Sequence, residues 1–151
     1  MALKKLRDFL DSHKVRYAVI SHSPAYTAAE VAESAHIPGR QLAKTVIVKI
    51  DGRLAMAVVP ATHNVHTDAL RKAAGAREVV LAAESEFGER FPDCELGAMP
   101  PFGNLYDMEV FVSPQLAEDE LICFNACNHR ELLRMSYSDF ERLVQPARVP
   151  L

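Results

Sequence analysis

The chain contains 151 residues, of which 49% are hydrophobic and 25% are charged, and its formal net charge is −3. This is the composition of an ordinary globular protein, and the length predicts one domain over residues 1–151. The negative charge argues against a broad DNA-binding surface but leaves room for a local grip on one nucleic-acid end. The first residues mix charges with apolar side chains, which predicts neither a signal peptide nor a membrane anchor. Three cysteines without an export signal indicate a cytoplasmic protein with reduced thiols.

The N-terminal part of the chain predicts two helices with a short strand between them. Leucines recur at helical spacing over residues 3–13, and residues 15–20 alternate as a strand. Thr27 and Glu30 form a capping box, which predicts a helix that runs to His36.

Strands dominate the rest of the sequence. Two apolar runs, 44–50 and 54–60, are joined by Asp51-Gly52-Arg53, which predicts a β-hairpin. The later predicted elements are a helix over 67–74, a strand over 78–82, a short helix over 84–91, strands over 108–112 and 120–126, a further candidate strand over 132–137, a helix from Ser138 and a frayed tail over 145–151. Because strands outnumber helices and do not alternate regularly with them, we expect an α+β fold with a mixed, largely antiparallel sheet.

Lys44 opens the first long predicted strand. On a strand it shares one face with Val46, Val48 and Ile50, while Thr45 lies on the other. Two interpretations stay open: a solvated lysine at a strand end, or a cation at the lip of an apolar pocket that grips a phosphate or carboxylate.

The segment 96–103 reads LGAMPPFG and predicts a stiff, apolar loop. It lacks the Gly-Lys-Ser/Thr of a phosphate-binding loop and the three spaced glycines of a dinucleotide site. Gly97 and Gly103 permit unusual backbone angles or close approach of a ligand. Pro100 and Pro101 fix the backbone and remove two donors. Such a loop suits a wall or lid over a small hydrophobic group.

Two histidine-containing segments are candidate chemical sites. His63 and His66 form an HxxH pair, but no HExxH glutamate accompanies them, so polar loop histidines are favoured over a metal site. Asn128 and His129 follow a predicted strand and offer a donor, acid or base. No Ser-His-Asp order or nucleophile elbow occurs in the sequence, so an enzyme with this chain would lack an evident nucleophile.

Three segments together resemble one family: TAAEVAESAHIPGRQLAKTVIVK, then LGAMPPFG, then FNACNHRELLRMSYSDFERLV. In this order they resemble the YbaK/ProX family, freestanding relatives of the editing insertion domain of bacterial prolyl-tRNA synthetase. The likeness runs from about Ser21 to Val144. Its most specific marks are Lys44 at the strand start and the GxxxP loop that begins at Gly97.

The resemblance implies a trans-editing aminoacyl-tRNA deacylase, which hydrolyses the ester of a mischarged small amino acid. It also implies a barrel-like mixed sheet flanked by helices, without a metal or other cofactor. The partners implied are the mischarged tRNA acceptor end and, as a candidate, an aminoacyl-tRNA synthetase, with neither DNA nor a membrane involved. Such enzymes are needed because a synthetase pocket discriminates one methylene by only about 1–3 kcal/mol.

The resemblance also implies roles for particular residues. Lys44 would anchor the terminal phosphate, and backbone donors at Gly97 and Ala98 would face the developing oxyanion. The residues expected to contact the substrate are Tyr26, Thr27, Lys44, Thr45, Met99, Pro100, Pro101, Phe102, Gly103, Asn128 and His129.

Two positions depart from the family pattern. Cys127 stands where many relatives carry glycine, and Thr45 stands where the alanine-specific group commonly has asparagine. The amino acid released therefore stays open. A non-catalytic module that binds an aminoacyl-tRNA end or an amino-acid-like ligand is the main alternative, and a metal hydrolase based on His63 and His66 is a distant third.

Overall fold

Eight strands in the part of the chain that the computed structural model describes, residues 2–25, 30–31, 33 and 35–151, form two open sheets. The strands are β1 (Tyr17–Ser21), β2 (Ala43–Ile50), β3 (Arg53–Pro60), β4 (Val79–Leu81), β5 (Glu109–Val112), β6 (Leu121–Asn125), β7 (Glu131–Ser136) and β8 (Ala147–Arg148). One sheet has the order β1-β7-β6, and the other has the order β4-β2-β3-β5-β8. The three-stranded sheet is antiparallel, whereas β5 pairs in parallel with β3 and β8. The expected α+β class and mixed sheet are confirmed, although the sheets do not close into a barrel.

Four α-helices accompany the sheets in the same described residues. They are α1 (Ala2–Ser12), α2 (Thr67–Ala74), α3 (Glu84–Phe87) and α4 (Tyr137–Val144), with short 3₁₀ turns at Gly88–Arg90, Gly103–Leu105 and Pro114–Glu118. Ser136 caps α4, since its hydroxyl accepts from the Asp139 N–H at 3.2 Å. None of these helices is long and apolar enough to cross a membrane.

The helix predicted from Thr27 lies partly outside the described residues. Residues 30, 31 and 33 are helical, while Thr27 itself and its predicted cap are not described. Tyr26, which like Thr27 is expected to contact the substrate, also lies outside the described residues.

The β2–β3 hairpin forms where its turn residues predict it. Ile50 pairs with Arg53, and Asp51 and Gly52 between them both have positive φ, 50° and 84°. This is the backbone that a two-residue hairpin turn requires. The Asp51 carboxylate also accepts from the backbone N–H groups of Arg77 and Glu78, which fixes the turn against the start of β4.

The two faces of β2 contact different apolar clusters, as its alternation predicts. Ala43 and Ile47 pack into the main core, which is built around buried aromatic side chains such as Phe102 and Phe124. Val48 packs on the other face, against Leu70 of α2. The sheet is therefore covered on both sides, and the start of β2 lies where the clusters meet.

The C-terminal tail is ordered by strand pairing, so the prediction of a frayed segment over 145–151 is wrong. Ala147 and Arg148 form β8 beside β5, and the Val149 N–H donates to the Val112 carbonyl at 3.1 Å. Leu151 also packs against the cluster around α2. The free edge of β5 supplies the hydrogen bonds that a short tail cannot supply for itself.

Candidate functional site

Backbone hydrogen bonds tie the entrance of the 96–103 loop to the segment that follows β6. The Glu95 N–H donates to the Cys127 carbonyl at 2.9 Å, and the Cys127 N–H donates to the Ala98 carbonyl at 3.0 Å. The Ala98 N–H closes a turn onto the Glu95 carbonyl at 3.0 Å. The structure thus brings together two segments that are far apart in the sequence. We call the exposed residues at this junction, Leu96 and Gly97, the loop edge, and they form the candidate site.

Gly97 lies at the tip of this edge, exposed and with a φ of 85°. A Cβ built there would lie 3.6 Å from His129 Cε1, which is ordinary contact. The left-handed backbone, rather than lack of space, therefore favours glycine at this position. Among the described residues the Gly97 N–H has no acceptor, whereas the Ala98 N–H is engaged within the turn. Of the two predicted backbone donors, the Gly97 N–H is the one that these residues leave without an acceptor, in an exposed residue.

His129 supports the loop edge through a hydrogen bond from its ring to Leu96. Its Nε2 lies 2.9 Å from the Leu96 carbonyl, and because a carbonyl only accepts, Nε2 carries the proton. The His129 backbone N–H also donates to the Glu95 carboxylate at 3.2 Å. Since the ring is buried, at 8% exposure, these contacts make His129 a fixed support for Leu96 and Gly97.

Asn128 closes the turn that leads into β7. Its Oδ1 accepts from the backbone N–H groups of Arg130 and Glu131, both at 2.8 Å, and its Nδ2 donates to the Glu131 carboxylate at 3.1 Å. An asparagine that bonds the backbone two residues ahead stabilises a tight turn. The amide of Asn128 is thereby committed to the turn that positions His129.

The second half of the loop is buried. Met99 is 5% exposed, Phe102 is fully buried, and both belong to the main core, while Pro100 and Pro101 are also buried. The Phe102 ring packs at 5.5 Å from the Phe124 ring and 5.6 Å from the Phe140 ring, measured between centroids. These contacts fix the loop to the core, while Leu96 and Gly97 at its start stay exposed.

Gly103 ends the loop, and glycine is required there because the surrounding atoms leave no space for a Cβ. A Cβ there would overlap the Met108 carbonyl oxygen and lie 2.5 Å from Val110 Cγ2. The Gly103 carbonyl also accepts from the backbone N–H groups of Tyr106 and Met108, both at 2.9 Å. The close approach of these segments allows no side chain at this position.

Lys44 is half-buried at the start of β2, and its Nζ lies 3.5 Å from Asn64 Oδ1. A parallel bridge between Leu42 and Cys123 joins the start of β2 to β6. Lys44 and Asn125 lie two positions beyond this bridge on their respective strands, so they share a face with Leu42 and Cys123. The bridge thus places Lys44 beside the strand that leads to Cys127 and the loop edge.

Two buried polar atoms near these strands have no hydrogen-bond partner among the described residues: Thr45 Oγ1 and Asn125 Oδ1. Thr45 points toward the main core, on the face opposite to Lys44. Asn125 was missed by the sequence analysis, although its place directly before the Ala126-Cys127 turn is a signal that could have drawn attention to it. Such orphan acceptors carry an energetic cost that a ligand can relieve.

His63 and His66 border a groove whose lining includes none of residues 94–103 or 127–129. With Asn64 they line this groove, of about 330 Å³, between Pro114 and the C-terminal Leu151. No cluster of three or more metal-ligating side chains occurs in the described part of the chain.

Two thiols and a phenol meet behind the loop entrance. Cys94 Sγ lies 3.8 Å from Tyr106 Oη, and hydrogen bonding from the Cys127 thiol lowers the pKa of Cys94. The same bond and burial raise the pKa of Cys127, and burial raises the pKa of Tyr106. Cys127 has a φ of 71°, a left-handed backbone that costs a residue with a Cβ about 1–2 kcal/mol.

Comparison with known proteins identifies the class to which this fold and loop belong. Residues 22–143 match the model of the aminoacyl-tRNA editing domain, so the chain belongs to that family, in agreement with its resemblance to the YbaK/ProX proteins. A proline–tRNA ligase of Bacillus mycoides (strain KBAB4) is 28% identical over 88 residues. That match covers 58% of this chain but only 15% of the ligase.

Solved structures share the fold. A hypothetical protein, APE2540, superposes with a TM-score of 0.85 at 20% identity, over 96% of this chain and 98% of its own. A proposed trans-editing enzyme for prolyl tRNA synthetase superposes with a TM-score of 0.81 at 15% identity, over 99% of this chain and 97% of its own. At these identities the likeness concerns the fold alone.

Proposed function

We propose that this protein is a trans-editing deacylase that hydrolyses the ester between a mischarged small amino acid and the 3′ end of a tRNA. The observation that carries the proposal is the loop edge at Gly97, exposed, left-handed and supported by His129, in a chain of the aminoacyl-tRNA editing family. The substrate would be aminoacyl-tRNA, which favours a cytoplasmic location.

The chemistry needs no protein nucleophile. A water oxygen attacks the ester carbonyl carbon, the carbonyl oxygen becomes an oxyanion, and the bond to the ribose oxygen then breaks as that oxygen takes a proton. The Gly97 N–H is suited to stabilise the oxyanion, because it has no acceptor among the described residues. The vicinal ribose hydroxyl of the substrate can help to place the water, so the protein contributes mainly by positioning.

Lys44 is the proposed anchor for the terminal phosphate. Among the described residues its ammonium group has one hydrogen bond, to a neutral amide oxygen at the long distance of 3.5 Å. Exchange of that contact for a phosphate oxygen would gain a charge-assisted hydrogen bond. The β2–β6 bridge places this cation beside the strand that leads to the loop edge. One phosphate held in this way orients the acceptor end without a broad basic surface.

Selection by size is the proposed role of the loop. Its first half, Leu96 to Ala98, would separate the adenosine from the aminoacyl group. Its second half, from Met99 to Gly103, is packed in the core and would hold that wall at a fixed distance. Since one methylene changes binding by about 1–3 kcal/mol, a rigid wall can reject larger side chains.

A non-catalytic module that binds the aminoacyl-tRNA end is the alternative function. The observation that favours it is the engaged Ala98 N–H, which leaves one backbone donor where the family resemblance implies two. A site with fewer oxyanion donors retains its shape and binding contacts but loses transition-state stabilisation.

Deacylation of a panel of charged tRNAs separates these functions. The purified protein would be incubated with Ala-, Ser-, Thr- and Cys-charged tRNA, with and without a chelator, and the remaining ester would be measured. We expect hydrolysis of at least one small aminoacyl ester, unaffected by the chelator. Binding without hydrolysis would support the module, and loss of activity with chelator would support a metal hydrolase.

A further inference from the structure

Cys94 and Cys127 lie on adjacent segments behind the loop entrance, and Cys94 Sγ lies 3.8 Å from the Tyr106 hydroxyl. Cys94 is half-buried, so a small molecule can reach it, whereas Cys127 is 4% exposed. The pair thus combines an accessible thiol with a shielded one at its side.

The backbone holds the two cysteines on adjacent segments. The Glu95 N–H donates to the Cys127 carbonyl at 2.9 Å, so the residue after Cys94 is bonded directly to Cys127. A disulfide requires Cα atoms about 4.4–6.8 Å apart with the Cβ atoms directed toward each other. The backbone bond supplies the proximity, and the thiol of each cysteine shifts the pKa of the other, as expected for neighbouring sulfurs.

Cys127 has a left-handed backbone, which is unusual for a residue with a side chain. With a φ of 71° this position would suit glycine without strain, yet it carries a side chain with a thiol. Within the described residues neither thiol hydrogen-bonds to Leu96, Gly97 or Lys44, so the function proposed above does not use them.

We propose that Cys94 and Cys127 form an oxidisable dithiol site, which hydroperoxides convert into a disulfide that ties the loop entrance to the Asn128-His129 turn. In the first step the Cys94 thiolate attacks one peroxide oxygen, the O–O bond breaks, and the leaving hydroxide takes up the thiol proton to give water. Cys94 is then a sulfenic acid. In the second step the Cys127 sulfur attacks the Cys94 sulfur, the S–O bond breaks and a second water leaves. Two thiols and one hydrogen peroxide thus give one disulfide and two waters.

The surroundings of the two thiols indicate which one reacts with the peroxide first. Hydrogen bonding from Cys127 lowers the pKa of the Cys94 thiol and so raises its thiolate fraction, while the pKa of Cys127 is raised. Cys94 is therefore the attacking thiol and Cys127 the resolving thiol.

Cys123 provides an internal control. It is fully buried in a separate cluster with Leu42 and Leu132, and burial raises its pKa to about 11. A general thiol oxidant should spare it in the folded protein.

Peptide mass spectrometry tests the site directly. The full chain would be reduced, treated with hydrogen peroxide, unfolded in an alkylating agent and digested without reductant. We expect a Cys94–Cys127 linked peptide, alkylated Cys123 and reversal by dithiothreitol. Cys94→Ser and Cys127→Gly should abolish the linked peptide, and Cys123→Ala should retain it. Cys94 found only as sulfinic or sulfonic acid, a link through Cys123, or an unmodified pair would each overturn the proposal.

An effect on catalysis rests on the proposed function. Since the disulfide fixes the spacing between the loop entrance and His129, we expect a several-fold slower deacylation that dithiothreitol restores and that Cys127→Gly does not show. An unchanged rate after complete oxidation would overturn this coupling. A protein that forms the disulfide but hydrolyses no aminoacyl-tRNA in either state would overturn the proposed function and leave the dithiol site standing.

Discussion

Gly97 and Gly103 belong to the same loop, and the chain requires glycine at each for a different physical reason. Gly97 is exposed and has a left-handed backbone, and a Cβ there would meet only ordinary contacts. Gly103 is buried, and a Cβ there would overlap the Met108 backbone. One half of the loop thus contributes a backbone conformation to the candidate site, and the other half attaches it to the core. Substitutions in the two halves should therefore separate activity from stability.

The largest effect is expected from Gly103→Ala. Because the new methyl group would overlap a backbone oxygen that cannot move independently, we expect a loss of about 3 kcal/mol or more in the free energy of unfolding. Urea denaturation followed by circular dichroism measures it. Gly88→Ala is the matched control, since its Cβ would lie 3.8 Å from Leu96 and should change stability by less than about 1 kcal/mol. Equal midpoints for the two variants would contradict the close packing at Gly103.

The next largest effect is expected from Met99→Ala. This variant tests whether the buried half of the loop also forms the pocket wall. At 5% exposure within the main core, truncation is expected to cost about 2–5 kcal/mol of stability. We expect the ratio of deacylation rates for a small and a larger aminoacyl group to stay close to that of the parent. A ratio that shifts about tenfold toward the larger group would instead place Met99 in the wall.

Gly97→Ala should reverse this pattern, with a small loss of stability and a larger loss of activity. The left-handed backbone should cost alanine about 1–2 kcal/mol, and relaxation of that strain would move the Gly97 N–H. We expect deacylation to fall about ten- to a hundredfold. Thermal unfolding and single-turnover hydrolysis measure the two effects.

Gly52→Ala is the control for that variant. Gly52 has a φ of 84°, close to that of Gly97, and open space around its Cβ position, but it lies in the β2–β3 turn. It should show the same loss of stability without a loss of activity. If both variants retain parental rates, the Gly97 backbone has no part in hydrolysis.

The same contrast explains what the sequence could predict. Local signals were sufficient for the β2–β3 hairpin, because Asp51 and Gly52 carry the turn conformation in their own backbone preferences. Glycine permits the left-handed conformation that Gly97 adopts, so the sequence allowed this conformation without requiring it. The crowding at Gly103 depends on Met108 and Val110, which approach only in the folded chain.

Tertiary hydrogen bonds account for the features that were missed. The turn that occupies the Ala98 N–H is set by how Glu95 and Cys127 pair, and the C-terminal tail becomes a strand only because β5 offers it an edge. The place of Asn125 before the Ala126-Cys127 turn marks it in the sequence, but only the folded chain shows that its Oδ1 has no partner among the described residues. Pairing between distant segments decides the turn at Ala98 and the strand in the tail, and the periodicity of residues in the sequence does not predict such pairing.

The smallest effect is expected from Lys44→Ala, which extends the comparison to the proposed phosphate anchor at the start of β2. Lys44 contributes one long contact to a neutral amide, so its loss should leave the free energy of unfolding within about 0.5 kcal/mol of the parent. If its ammonium binds the terminal phosphate, the loss of one charge-assisted bond should slow deacylation about tenfold at subsaturating tRNA. Lys49→Ala is the control, because Lys49 lies on the same strand, on the opposite face, and pairs with Glu86. Deacylation rates at low and high tRNA concentration distinguish binding from chemistry, and equal rates for the two lysine variants would remove Lys44 from the site.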